Sequence, residues 1–93
     1  MTLAEQKGIS SAAELLRGLG ASEVFIFGSA VKGTMRSDSD IDMAVEGLPP
    51  RLYFSAVSQA SDLMGRPVDL VDLDDETPKT RYLRQSGELI RVG

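Results

Sequence analysis

The sequence predicts one α+β domain, spanning residues 1–93, in which helices flank a small mixed β-sheet. Three observations lead to this fold class. Apolar residues recur at helical spacing in separate segments, short β-branched or aromatic runs lie between them, and glycine or proline closes most segments. The alternation of helix and strand is typical of an α/β or α+β sandwich, and a chain this short has room for one modest core.

The N-terminal part of the chain predicts a helix, a strand and a single helical turn. Apolar residues at helical spacing over 9–19 indicate a helix that ends near Gly18 or Gly20. The run "EVFIF" (23–27) is short, β-branched and aromatic, which indicates a buried strand. The segment "SAVKG" (29–33) can form one helical turn that stops at its glycine.

The rest of the chain predicts two further strands, two helices and a final short strand. The segment "DIDMAV" (40–45) alternates, so its isoleucine, methionine and valine share one face. A helix over 53–64 precedes a strand over 67–73, a helix reaches about residue 85, and a strand covers 89–90. Core positions are predicted for Tyr53, Ala56, Val57, Ala60, Leu63 and Met64, and Tyr82 is predicted at the edge of the core.

Composition narrows the chemistry that the chain can perform. Cysteine and histidine are absent, which excludes disulfides, thiolate catalysis and a histidine base. A net charge of −4 disfavours direct binding to nucleic acid, although a nucleotide carried in with a metal ion stays compatible. No segment has the length of a membrane span or the pattern of a signal peptide, so the expected location is cytoplasmic.

Two carboxylates stand at alternate positions at the start of the second strand. Asp40 and Asp42 project to the same face, roughly 7 Å apart, and carboxylate oxygens are preferred ligands of Mg²⁺. Two-metal sites clamp a phosphoryl group during displacement. An isolated pair of this kind is more often a solvated end of a loop, so the pair alone leaves both interpretations open.

Two other features favour the phosphoryl-transfer interpretation. Gly28 and Ser29 lie between a strand and a helical turn, where a glycine lets a phosphate approach the backbone; a plain turn with Ser29 as helix cap is the alternative. Asp69 interrupts an apolar strand and must therefore meet solvent, a cation or a basic partner. If the first two strands are antiparallel neighbours, the glycine turn and the acidic pair face one another.

These residues resemble a known signature. Gly28-Ser29, Gly33, Arg36 and Ser39-Asp40-Ile41-Asp42, followed by Asp69, resemble the motif of the DNA polymerase β-like nucleotidyltransferase superfamily. The short length resembles the minimal nucleotidyltransferase (MNT) group, the antitoxin-like partners of HEPN-domain proteins. The resemblance implies the nucleotidyltransferase fold for the chain.

The resemblance also implies roles for the site residues. Asp40, Asp42 and Asp69 would bind two Mg²⁺ ions, and Asp69 would help deprotonate the attacking hydroxyl. The nucleotide would be held by Gly28, Ser29, Lys32, Gly33, Arg36 and Ser39. The sequence departs from the commoner pattern after Ser29, where Ala30-Val31 replace an early basic residue, so triphosphate binding would lean on Lys32.

The function implied is AMP transfer from ATP to a hydroxyl, expected to be a tyrosine, of a HEPN toxin in a hetero-oligomer. Two alternatives stay open: an antitoxin that blocks its partner sterically without catalysis, and a small-molecule (antibiotic) nucleotidyltransferase. Small-molecule nucleotidyltransferases resemble two-domain proteins, whereas a single domain is predicted here, which weakens this alternative. The acidic cluster of Asp72, Asp74, Asp75 and Glu76 is interpreted as a solvated loop, with a surface for a basic partner as the alternative.

Overall fold

Helices and strands alternate along the chain as predicted. The computed structural model describes residues 3–32 and 40–92, and for Ser29 and Lys32 it describes the backbone alone. The elements are α1 (Leu3–Gly18), β1 (Glu23–Ile26), α2 (Ser29–Lys32), β2 (Ile41–Glu46), a 3₁₀ turn (Pro50–Leu52), α3 (Tyr53–Met64), β3 (Val68–Asp72), α4 (Pro78–Ser86) and β4 (Ile90–Arg91).

The strands form a four-stranded mixed sheet in the order β3-β2-β1-β4. Strand β1 is antiparallel to both β2 and β4, whereas β2 and β3 are parallel. The predicted α+β class with a mixed sheet is therefore confirmed. Within residues 3–32 and 40–92, no helix combines the length and the apolar character that crossing a bilayer requires.

One face of the sheet carries the larger core. Ile41, Met43 and Val45 of β2 are fully buried there, as their alternation predicted. The helices α1 and α3 cover this face and contribute small residues that allow close packing, Ala12, Ala13, Ala56 and Ala60. The core assignment of Leu63 is wrong: its side chain is 51% exposed, because it lines a surface groove between α1 and α3.

Helix α4 covers part of the opposite face. Its Leu83 packs with Phe27, Ala44 and Leu73 in a second, smaller buried cluster. The prediction that Tyr82 packs at the core edge is wrong, because Tyr82 lies on the outer side of α4 and is 59% exposed. Since Ala44 lies under α4 and Asp42 is two residues earlier on the same face, the cover ends close to the acidic residues.

Strand β3 is an edge strand, and α3 holds its outer side in place. The Ser61 hydroxyl oxygen accepts a hydrogen bond of 3.0 Å from the Val68 amide. The Tyr53 hydroxyl donates to the Leu70 carbonyl. These bonds occupy backbone groups that an edge strand otherwise offers to another chain, and they fix the backbone on both sides of Asp69.

The first turn of α4 is fixed by a reciprocal capping box. The Thr77 hydroxyl oxygen accepts from the Thr80 amide at 3.1 Å, and the Thr80 hydroxyl oxygen accepts from the Thr77 amide at 2.9 Å. The Thr80 side chain is buried and also reaches the Asp75 carbonyl at 2.8 Å. These bonds fix the first turn of α4 and tie it to the loop that follows β3.

We expect Thr80→Val to lower the free energy of unfolding by about 1–3 kcal/mol, because it leaves a capping amide and the partly buried carbonyl contact of Asp75 without their partner. Chemical denaturation of both proteins measures the difference. Thr80→Ser keeps the hydroxyl and is expected to recover most of the loss. A Thr80→Val protein as stable as the wild type would show that the capping box contributes little.

Candidate active site

The parallel pairing of β2 and β3 places two of the predicted carboxylates side by side. Asp42 lies directly opposite Asp69 in the register, so both side chains project to the face that α4 only partly covers. Asp42 is partly buried and Asp69 exposed. Asp40 lies two residues before Asp42, is exposed and just precedes the strand. The sheet therefore brings Asp42 and Asp69 together on the face that α4 only partly covers, and Asp40 lies just outside the strand.

The charges of these residues act on one another. Burial raises the pKa of the Asp42 carboxyl, and the negative charges of Asp69 and Asp40 raise it further. The positive charge of Lys79 opposes this shift. Folding thus brings together carboxylates that repel each other, and such an arrangement favours a bound cation.

The glycine turn lies against the same carboxylate. Gly28 follows β1, whose antiparallel pairing with β2 continues through a hydrogen bond of 3.1 Å from the Phe27 amide to the Asp42 carbonyl. Gly28 has a φ of +66°, and a Cβ atom there would overlap Oδ2 of Asp42 and lie 3.2 Å from its Cγ. The prediction that the turn and the acidic residues face one another is confirmed for Gly28 and Asp42, and only glycine fits this position without displacing Asp42.

The remaining predicted nucleotide ligands lie in or beyond α2. Ser29 begins this helical turn and Lys32 ends it. Gly33, Arg36 and Ser39 lie outside the described residues. Their contacts with a nucleotide therefore stay predictions from the sequence.

Two residues near the carboxylates were not predicted as part of the site. Lys79, in the first turn of α4, has its Nζ 4.0 Å from Oδ2 of Asp69. Burial and the charges of Asp69 and Asp72 raise the pKa of the Tyr53 hydroxyl. The sequence offered one signal for Lys79, a basic residue in a helical first turn, where acidic residues are favoured.

The residues present fit the divalent ions that the family resemblance implies. The donor set of Asp40, Asp42 and Asp69 consists of carboxylate oxygens, which Mg²⁺ prefers, and the Asp42 carboxylate packs against the bare Cα of Gly28. Across residues 3–32 and 40–92, no three acidic side chains are already close enough to enclose an ion. The carboxylates would therefore have to adjust around a bound ion.

The acidic cluster after β3 is partly structural. Oδ2 of Asp74 accepts a hydrogen bond of 2.7 Å from the Gly47 amide, and Oδ1 of Asp72 accepts one of 3.0 Å from the Asp74 amide. Asp75 and Glu76 are exposed. The interpretation as a solvated loop agrees with these exposures, and two of the carboxylates also stabilise the connection to α4.

Known proteins resemble this chain over most of its length. Residues 15–91 match the family described as polymerase beta, nucleotidyltransferase. The protein adenylyltransferase MntA of Thermococcus cleftensis is 38% identical over a 76-residue alignment that covers 76% of this chain and 77% of that protein.

Two solved structures share the fold. A toxin–antitoxin complex with AMP-PNP superposes with a TM-score of 0.73 at 24% identity, over 92% of this chain and 70% of that one. The tri-AMPylated HEPN toxin of Shewanella oneidensis in complex with its MNT antitoxin gives a TM-score of 0.67 at 22% identity, over 94% and 70%. Together with the family match, these similarities confirm the predicted fold, and the chain belongs to the polymerase β nucleotidyltransferase family.

Proposed function

We propose that the chain is a Mg²⁺-dependent protein adenylyltransferase that transfers AMP from ATP to a hydroxyl of a HEPN toxin and so acts as its antitoxin. The observation that carries the proposal is the register of Asp42 opposite Asp69, beside the bare Cα of Gly28. The similarity to MntA, a protein adenylyltransferase, supports the same reaction. Because the partner supplies the acceptor hydroxyl, the active complex in this proposal is a hetero-oligomer.

In this proposal the described residues have separate roles. The backbone at Gly28 admits the phosphates, and Asp40, Asp42 and Asp69 hold Mg²⁺, with two ions as the expected number. When bound, the metal withdraws charge from the phosphoryl oxygens and the attacking oxygen. Asp69, the more exposed of the register pair, takes up the proton of the hydroxyl. The hydroxyl oxygen then bonds to the α-phosphorus, and pyrophosphate leaves.

Other parts of the proposal rest on the sequence. Ser29, Lys32, Gly33, Arg36 and Ser39 are proposed to hold the triphosphate, and a tyrosine is the proposed acceptor. The chain is proposed to be one minimal nucleotidyltransferase domain over 1–93, which the family match over 15–91 supports. A cytoplasmic location is proposed because the reaction draws on ATP.

Incubation of the chain with ATP, Mg²⁺ and its HEPN partner is expected to increase the partner's intact mass in adenylate-sized steps. Asp69→Asn is expected to lose these steps, because it removes the proposed proton acceptor and a metal ligand. Asp75→Asn is the matched control: it makes the same charge change on an exposed carboxylate of the loop after β3.

The same experiment separates the alternatives. A partner that loses toxicity with its mass unchanged, and that Asp69→Asn protein neutralises equally well, would favour steric blocking. Transfer of AMP to a small hydroxylated compound in the absence of any protein partner would favour a small-molecule nucleotidyltransferase. Mass steps that survive Asp69→Asn but not Asp75→Asn would contradict the assignment of Asp69.

A further inference from the structure

Lys79 is the basic residue that the structure places against the acidic centre. Its Nζ lies 4.0 Å from Oδ2 of Asp69, and the side chains are 57% and 51% exposed. Its positive charge also acts on Asp42: it lowers the pKa of that carboxyl, against the larger effects that raise it. Within residues 3–32 and 40–92, Lys79 is the basic residue that forms an ion pair with Asp69. Lys79 therefore lies beside the carboxylates that the proposed metal would also bind.

The position of Lys79 is unfavourable for the helix that carries it. It is the second residue of α4, after Pro78, and the first turn contains no acidic residue. The N-terminal end of a helix carries partial positive charge, so a lysine there is destabilising in isolation. The capping box of Thr77 and Thr80 nevertheless fixes the conformation of this turn, and the turn lies close enough for Lys79 to contact Asp69. A lysine in such an unfavourable helical position is expected where its side chain contributes to a functional site and not to the stability of the helix.

We propose that Lys79 is a counter-ion that competes with a divalent cation for Asp69 when no nucleotide is present. Lys79 compensates part of the carboxylate charge and repels an incoming cation. The phosphates of a bound nucleotide bring negative charge that can hold the ammonium group and the cation together. Lys79 is thus a positioning residue that makes the metal bind weakly alone and more tightly together with the nucleotide. The inference rests on the proposed metal site.

The test is a titration of the whole chain with Mn²⁺ alone, at about 0.1 M ionic strength, with binding measured by electron paramagnetic resonance. Lys79→Met is expected to bind Mn²⁺ roughly three- to tenfold more tightly, as Coulomb's law gives for a unit charge about 6 Å from a doubly charged ion in water. Lys79→Arg keeps the charge and is expected to restore weak binding. With a non-hydrolysable ATP analogue present, the gain of Lys79→Met is expected to disappear or reverse.

Arg81→Met is the matched control. Arg81 is exposed and also lies in the first turn of α4, but two helical positions from Lys79, so it projects to a different side. At 0.1 M salt the Debye length is about 10 Å, which weakens effects of charges outside the site. Arg81→Met is therefore expected to change Mn²⁺ affinity by less than twofold. Equal effects of the two variants would overturn the proposal, because they would reflect overall charge.

The outcome is separable from that of the proposed function. Unchanged Mn²⁺ affinity in Lys79→Met would overturn the counter-ion role even if the wild type transfers AMP to its partner. No Mn²⁺ binding by either protein would overturn this role and the metal assignment together. Tighter binding in Lys79→Met alone, without any mass change in the partner, would support the counter-ion role and contradict only the transfer reaction.

Discussion

Asp42→Asn is expected to reduce AMP transfer by about a thousandfold or more. The amide removes one negative ligand from the register pair, and metal-assisted stabilisation of a phosphoryl transition state amounts to several kcal/mol, on the order of a thousandfold in rate. The fold is expected to survive, because Asp42 is a partly buried carboxylate whose charge is repelled by Asp69 and Asp40. Single-turnover assays with the HEPN partner measure the transfer rate, and thermal melting measures stability.

The pH dependence of stability gives a second readout of Asp42→Asn. Because folding raises the pKa of Asp42, its ionised form destabilises the folded protein at neutral pH. This penalty disappears as the pH falls through the raised pKa and is absent below the unfolded value. The variant is therefore expected to melt at or above the wild-type temperature at pH 7. The difference between the two melting temperatures is expected to become smaller as the pH is lowered.

Asp62→Asn provides the matched control for both measurements. Asp62 is an exposed carboxylate of α3, in the helical layer on the other side of the sheet. Its loss is expected to leave the transfer rate within a factor of two. Wild-type transfer by Asp42→Asn would contradict the role assigned to Asp42. A melting temperature so low that the protein is unfolded in the assay would contradict the expectation that the fold survives.

Gly28→Ala is expected to have the next largest effect. A single methyl group there overlaps Oδ2 of Asp42, and the φ of +66° disfavours any L side chain. We expect at least a hundredfold loss of transfer together with weaker ATP binding, since Asp42 must move and the phosphates lose their closest approach to the backbone. Single-turnover rates over a range of ATP concentrations measure both effects.

Gly65→Ala separates backbone strain from the loss of the site. Gly65 ends α3 with a φ of +69°, and a Cβ atom there meets no other atom within 4 Å. Both variants therefore carry a similar strain of roughly 1–2 kcal/mol, but only Gly28→Ala displaces a carboxylate. Equal losses of transfer in the two variants would mean that strain alone explains the effect of Gly28→Ala.

Much of the fold was predictable because local patterns agreed with the tertiary packing. The alternation of Ile41, Met43 and Val45 survives as a fully buried face, and the glycine-terminated helices end where predicted. Leu63 and Tyr82 were misassigned because helical periodicity locates an apolar stripe without fixing which part of its width is covered. That depends on the neighbouring helix or strand.

The candidate site was predictable in part for a similar reason. Strand geometry alone puts Asp40 and Asp42 on one face, and the turn at Gly28 follows from a glycine after an apolar strand. Lys79 was missed because it is ten residues from Asp69 in the chain, and no local pattern relates a helical first turn to a preceding strand. The contact depends on how α4 packs on the sheet, where Leu83 contacts the cluster that contains Ala44 and Leu73.

The sequence by itself determined the class of the domain, its order of elements and the residue types available for chemistry: carboxylates, small residues and a few cations, without histidine or cysteine. These follow from local propensity and composition, which each segment carries alone. The tertiary structure decided that Asp42 lies opposite Asp69, that the Asp42 carboxylate packs against Gly28, and that Lys79 lies beside Asp69. Register and helix placement decide such contacts, because they depend on how distant segments pack and not on any one segment's pattern.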